Sequence, residues 1–232
     1  MLESFVARMA ATGSAGRFVL KRGVLLAVFG QRRPTRDIDL QAQSIANDPA
    51  AVRAAIADIA ATNLDDGVVF DTQAATAAAI REEDQYPAVR VSMTASLATA
   101  RPSFHVDVSV GDPITPEPQI AYLPCIVGGT IAVRGYRLSM VHAEKIVTAI
   151  ARGTANSRWR DFGDMYTLTR RHPVDGTELT TSIREVAQHR GTRLTSLSTT
   201  LDGSAPSASS TAKHGGESSA SRTGCRASSV RS

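Results

Sequence analysis

The spacing of apolar residues changes several times along this chain, and each change marks an element. Residues 17–21, Arg-Phe-Val-Leu-Lys, form a compact apolar run of the buried-strand kind, and after Gly23 the run 24–29 reads as a helix packed behind a glycine turn. Residues 37–41 predict the next strand. Over 104–110 the alternation is strict, with Phe104, Val106, Val108 and Val110 on one face and His105, Asp107 and Ser109 on the other. Further strands are expected at 67–70, 88–95 and 130–136, and residues 72–81 read as a short helical or looping stretch. Helical periodicity predicts helices at 2–12, 49–61, 139–152, 157–170 and 176–190. The second of these is the best marked, because Asp48 can cap it and Pro49 suits its first position. Ser139 and Thr177, or residues beside Thr177, are the expected caps of two later helices, and Gly153 is an expected stop.

Strands interleaved with helices make this an α/β chain, long enough at 232 residues for one sizeable core and a small second lobe. The expected division is a core at 1–136, a helical C-terminal lobe at 137–203 and a tail at 204–232. That tail is rich in Ser, Ala, Gly and Thr and nearly devoid of large apolar residues, so it buries too little surface to offset its ordering entropy and is expected to be disordered.

Net charge adds less than its size suggests. The formal value is +4, but Lys213, Arg222, Arg226 and Arg231 against Glu217 place +3 of it in the tail. Local clusters say more: Arg32, Arg33 and Arg36 surround an acid pair, and Arg152, Arg158, Arg160, Arg170 and Arg171 crowd the later helices, where each contacts phosphate or merely solvates a helix face. The longest apolar run, 24–29, is far below the roughly 20 residues of a membrane span. Two cysteines, Cys125 and Cys225, have no metal-ligand spacing, and a reduced, cytoplasmic setting is expected.

The acid pair is the strongest chemical signal. Asp37 and Asp39 stand two apart on a predicted strand and therefore share a face, where like charges repel unless a cation lies between them. Water satisfies many such pairs; a hard divalent cation, bound by one or two carboxylates and completed by water and substrate phosphates, is the functional alternative. Gly23 lies upstream at a turn where backbone N–H groups can meet an anion. Asp107 projects from the polar face of its strand. Asp161 and Asp164 share one face of their helix, and Lys145 is one of three lysines in an arginine-rich chain.

Glycine turn, helix and Asp-x-Asp in that order resemble the nucleotidyltransferase superfamily with a polymerase-β-like core. Two further blocks narrow the resemblance. One runs from Val106-Asp107-Val108 to Gly111-Asp112-Pro-Ile-Thr-Pro116-Glu-Pro118; the other joins Ala143-Glu144-Lys145 to Arg158-Trp-Arg160-Asp161 and Asp164. With these the chain is similar, over about residues 17–171, to the AbiEii/AbiGii-type toxins, which include the MenT-like toxins. The resemblance implies a mixed sheet with a helical C-terminal lobe, and a toxin that transfers NMP from NTP to an RNA acceptor, the tRNA 3′ end first among them, so that translation stops. It implies Mg²⁺ on Asp37, Asp39 and Asp107, and catalytic roles for Asp37, Asp39, Lys145 and Asp161. Gly23, Thr35, Lys145 and Arg158 fall at the nucleotide, and a cognate antitoxin is the expected protein partner. Two alternatives stay open: transfer of NMP to a protein hydroxyl, and a degraded relative that only binds its antitoxin. Three departures from the family's usual pattern stand out. Arg22 precedes Gly23 where paired glycines are common, Ser139 stands where Glu is frequent, and Arg160 where Lys is frequent.

Overall fold

The computed structural model describes residues 1–81, 87–153 and 159–198. Among them are eight strands, β1 (Phe18–Lys21), β2 (Asp37–Ala42), β3 (Val68–Phe70), β4 (Thr76–Arg81), β5 (Pro87–Leu97), β6 (Ser103–Val110), β7 (Gln119–Pro124) and β8 (Thr130–Gly135). Six helices accompany them: α1 (Leu2–Ala11), α2 (Arg22–Leu25), α3 (Pro49–Ala60), α4 (Leu138–Arg152), α5 (Trp159–Arg171) and α6 (Gly176–His189).

The sheet runs β3-β5-β6-β2-β1-β8-β7, with β4 also paired to β5. It is mixed: β2 lies antiparallel to β1 and parallel to β6, and β8 runs parallel to β1. Alternation divides the two faces. Val91, Val106 and Ile38 are cross-strand neighbours, as are Val89, Val108, Leu40 and Leu20, and all are buried. Each such side chain contributes roughly 1.5–3 kcal/mol when removed from water. Helices α1 and α3 cover this face. Phe5 of α1 meets Phe70 and Phe104 edge-on at 6.1 and 5.9 Å. Helix α3 begins as its sequence predicts, with Asp48 accepting from the Ala51 N–H at 2.8 Å and Pro49 in the first turn. Val52, Ile56 and Ile59 form its buried stripe.

The opposite face of the central strands is polar, and α4 lies over it. Helix α4 is buried on most of its surface because α5 and α6 pack against it as well. It carries its own polar residues inward, including His142, Glu144 and Lys145.

Several expectations change. Residues 76–81 form a strand, not a helix or loop, because β5 is long enough to pair its first half with β4 and its end with β3. Strand β7 has no counterpart in the sequence reading; its burial alternates, but a proline at each flank reads as loop. The run 24–29 is only a single helical turn that tightens into a 3₁₀ turn over Leu26–Phe29. Ser139 does not cap α4: Arg137 occupies the N-cap, and the Ser139 hydroxyl turns to Glu178 at 3.2 Å. Asp175, two residues before Thr177, caps α6 by accepting from the N–H groups of Thr177 and Glu178. The predicted tail, 204–232, lies outside the described residues.

Candidate active site

Register assembles the site. Across four adjacent strands, Arg90 of β5 stands opposite Asp107 of β6, Asp107 opposite Asp39 of β2, and Asp39 opposite Lys21 of β1. The polar face thus carries a transverse row of cation, acid, acid, cation. Asp37 lies one step along the same face, opposite His105. Strand alternation and pairing place all three predicted carboxylates on one surface, where no single segment of sequence could.

The ends of the row are held by different partners. Arg90 grips Asp107 in a fork, Nε to Oδ1 at 2.8 Å and Nη2 to Oδ2 at 2.7 Å. That bond holds the Arg90 guanidinium well above its ordinary pKa, with the charges of Asp37 and Asp39 adding to the effect. Lys21, 1% exposed, donates to Ser109 at 2.8 Å and approaches Asp112 at 3.4 Å.

A cleft of about 1040 Å³ opens over the row. Gly23, Thr35, Asp37, Asp39, Asp107, Lys145 and Asp161 all line it, so seven of the eight predicted site residues meet in one space. The eighth, Arg158, lies outside the described residues. Thr35 shapes the approach to the acid pair, its hydroxyl donating to the Asp37 carbonyl at 3.2 Å. It also explains Gly23, since a Cβ there would come within 3.1 Å of the Thr35 hydroxyl oxygen. On the far wall Lys145 donates to Asp161 at 2.5 Å and to Asp164 at 2.8 Å. Asp164 also accepts from Gln31 at 2.9 Å and faces Arg33 at 3.3 Å, so it anchors the 30–36 loop to α5.

The arginines around the acid pair divide. Arg33 and Arg36 line the cleft, whereas Arg32 is drawn away to Glu3, at 2.6 Å, and to the Pro124 carbonyl. Arg160 joins the lining from the start of α5.

A family model for the nucleotidyl transferase AbiEii toxin of the type IV toxin–antitoxin systems matches residues 4–215. The chain belongs to this family. It is accordingly a nucleotidyltransferase and the toxin of a type IV system. Solved structures share the fold of this AbiEii toxin. JHP933 from Helicobacter pylori superposes with a TM-score of 0.52 at 13% identity, covering 88% of this chain and 76% of that one. MenT4, a nucleotidyltransferase toxin from Mycobacterium tuberculosis, gives 0.53 at 15% identity, covering 78% and 60%. No curated protein matches the sequence.

In this AbiEii toxin the departure at Arg22 has a backbone consequence. Arg22 has φ of 55°, the left-handed region that favours glycine and costs other residues roughly 1–2 kcal/mol. Its guanidinium reaches Asp39 at 3.4 Å and Glu144 at 3.7 Å, placing a protein-borne cation beside the acid pair. Arg22→Gly is expected to be more stable than Arg22→Ala by about 1 kcal/mol, because both lose the charge and only glycine loses the strain. Urea unfolding of the two variants checks this, and an alanine variant equal to or better than glycine would refute the strain.

Three residues that hold the site together were not legible as such. Glu144 is buried among Lys21 at 3.8 Å, Arg22 at 3.7 Å and Arg190 at 3.7 Å, and ties β1 and α6 to α4. Arg90 was the lone charge in a strand whose register no sequence pattern fixes. Tyr136 lines the cleft with its ring wholly buried, and burial together with Glu144 and Asp112 pushes its hydroxyl pKa well up.

His142, one turn from Lys145 and 2% exposed, has its pKa lowered first by burial and then by the Lys145 charge. In the unfolded chain it takes up a proton near its ordinary value of about 6.5. The unfolded state therefore binds more protons below that pH, and stability falls as pH drops from 7.5 to 5.5. His142→Leu is expected to flatten this dependence in urea unfolding at the two pH values; an unchanged slope would remove His142 as a cause.

The donor set suits a hard cation. Among the described residues no group of three His, Cys, Asp or Glu side chains converges closely enough to hold a metal by itself. Mg²⁺ does not need one, since one or two carboxylates with water and substrate phosphates complete its shell. Asp37 and Asp39 meet that requirement.

Proposed function

We propose that this toxin transfers NMP from an NTP to the 3′ end of an RNA, with tRNA as the acceptor, Mg²⁺ held by Asp37 and Asp39, and Asp107 as the third carboxylate. The observation that carries the reading is the sheet face on which the transverse row, with Asp39 and Asp107, and Asp37 one step along it gather three carboxylates beneath a cleft whose other wall presents Lys145. When bound, the cation neutralises charge on the attacking and leaving oxygens. The acceptor hydroxyl bonds to the α-phosphorus, the bond to the bridging oxygen breaks, pyrophosphate leaves, and the hydroxyl proton passes to a carboxylate of the row.

Each further residue has a share. Lys145, fixed by Asp161, presents its ammonium to the triphosphate, and Arg158 adds charge by family resemblance. Gly23 lets the backbone approach the phosphates, and Thr35 steadies the turn that delivers Asp37. The core 1–136 supplies the acids and the helical lobe 137–203 the cationic wall. The cleft volume exceeds what one mononucleotide fills, which leaves room for an acceptor end. Blocked translation in the cytoplasm and a neutralising antitoxin complete the reading; among the described residues no helix is long and apolar enough to cross a membrane.

The test is incubation of the full chain with Mg²⁺, each labelled NTP in turn and total tRNA, resolving RNA from protein products. Label on RNA supports the reading. Label on protein alone would replace it with modification of a protein hydroxyl.

A further inference from the structure

Helix α5 has two faces of opposite character. Its acids, Asp161 and Asp164, point inward with Leu168 and are buried. Its outward face begins at the cleft with Trp159, 66% exposed, and continues to Tyr166, 65% exposed. Arg170 lies beyond, its guanidinium 5.5 Å from the centre of the Tyr166 ring. Phe162 props Trp159 from the side, with ring centres 5.9 Å apart. Because both acids of the helix face the other way, no acid of α5 shares the outward stripe with Arg170, and Arg160 stands beside the start of the stripe at the cleft.

Large aromatic rings left in water are costly unless something covers them, and here Trp159 and Tyr166 share one line of the helix with Arg170. That combination suits a single strand of nucleic acid: bases stack on the rings, whatever their sequence, while guanidinium groups meet phosphates. Duplex RNA offers no free base faces. At a rise of 1.5 Å per residue, Trp159 and Tyr166 lie about 10 Å apart along the axis, roughly three stacked base steps. A mononucleotide has one base and cannot stack on both rings. The stripe also starts among the cleft's own lining, so a strand lying on it delivers its end to the acid row.

We infer that the outward face of α5, Trp159, Tyr166 and Arg170, is the platform on which the single-stranded end of the acceptor RNA lies while its terminal hydroxyl enters the cleft. The inference rests on the RNA-acceptor reading and adds the residues that bind the strand. Trp159 is a substrate-binding residue at the cleft rim; Tyr166 and Arg170 position the strand from outside it.

Trp159 is the only tryptophan in the chain, so intrinsic emission reports on this position alone. The full-length protein is titrated with a 12-nucleotide single-stranded RNA, with the blunt duplex of the same sequence, and with Mg²⁺–NTP. Quenching by the single strand at concentrations where the other two have little effect is expected. Tyr166→Ala should weaken RNA affinity about tenfold, Tyr166→Phe should restore it, and Arg170→Ala should flatten its salt dependence. In the labelling assay, Tyr166→Ala should raise KM for RNA and leave KM for NTP unchanged. Equal quenching by duplex or by NTP would overturn the platform. RNA labelling by the wild type with KM for RNA unchanged in Tyr166→Ala would overturn the platform alone. Neither quenching nor RNA label would remove both the platform and the RNA-acceptor reading, and protein label that fell with Tyr166→Ala would reassign the stripe to a protein partner.

Discussion

Changing Asp37 and Asp39 together to asparagine is expected to lower nucleotidyl transfer by about 1000-fold or more while leaving the fold as stable as the wild type or more so. Asparagine keeps the shape and one acceptor oxygen at each position and removes only the charge. The fold has no need of those charges. Asp39 and Asp107 sit side by side in register, Asp37 adds a third negative charge on the same face, and Arg22 beside Asp39 and Arg90 on Asp107 offset them in part. Removing two like charges relieves repulsion, as it commonly does where a site is organised for chemistry at the expense of stability. Transition-state charge is another matter. Loss of a metal's stabilisation removes several kcal/mol, and each 1.36 kcal/mol is a factor of ten in rate. Single-turnover labelling measures the rate, and thermal unfolding with and without Mg²⁺–NTP measures ligand binding through the shift in midpoint. The double variant should lose both the rate and the shift. Activity within tenfold of the wild type would dismiss the acid pair as the centre of the reaction.

The row also explains why so much of the site could be read from sequence and why part of it could not. Asp37 and Asp39 are legible because the period of a strand is two, and strict alternation around Asp107 gives away its face. Lys145, Asp161 and Asp164 are legible as helix positions within blocks of a known family. What a linear pattern does not contain is register. Nothing in the residues around Arg90 says that it stands opposite Asp107 and not two residues away, and nothing near Lys21 says that its buried ammonium crosses to Ser109. Elements failed where tertiary pairing overrode local preference. Residues 76–81 are alanine-rich and carry no strong strand signal, yet β5 offers an open edge and they pair with it. Ser139 looks like a cap by type and position, but Glu178 of α6 claims its hydroxyl, and α4 starts one residue earlier.

Lys145→Met is expected to destabilise the fold by about 3 kcal/mol and to abolish transfer as well, two effects that can be taken apart. Lys145 is 8% exposed and its two partners, Asp161 and Asp164, are 7% and 3% exposed. Methionine fills the same volume, so the loss is electrostatic: two buried carboxylates are left without the ammonium that both contact. Breaking a buried pair by removing one member costs 3–5 kcal/mol in general, and the lower end applies here because Asp164 keeps Gln31 at 2.9 Å and Arg33 at 3.3 Å. At about 2–4 °C per kcal/mol for a chain of this size, the unfolding midpoint should fall by roughly 6–12 °C. Adding Asp161→Asn removes one of the two carboxylate charges that Lys145 balances and should recover part of that loss. It should not recover transfer if Lys145 meets the triphosphate as proposed, because the ammonium is still gone. A triple comparison of wild type, single and double variants by thermal unfolding and single-turnover labelling separates a structural lysine from one that also acts on substrate. If the double variant regained both stability and rate, Lys145 would be a strut for α5 and nothing more; if it regains stability alone, the Lys145–Asp161 pair is part of the chemistry.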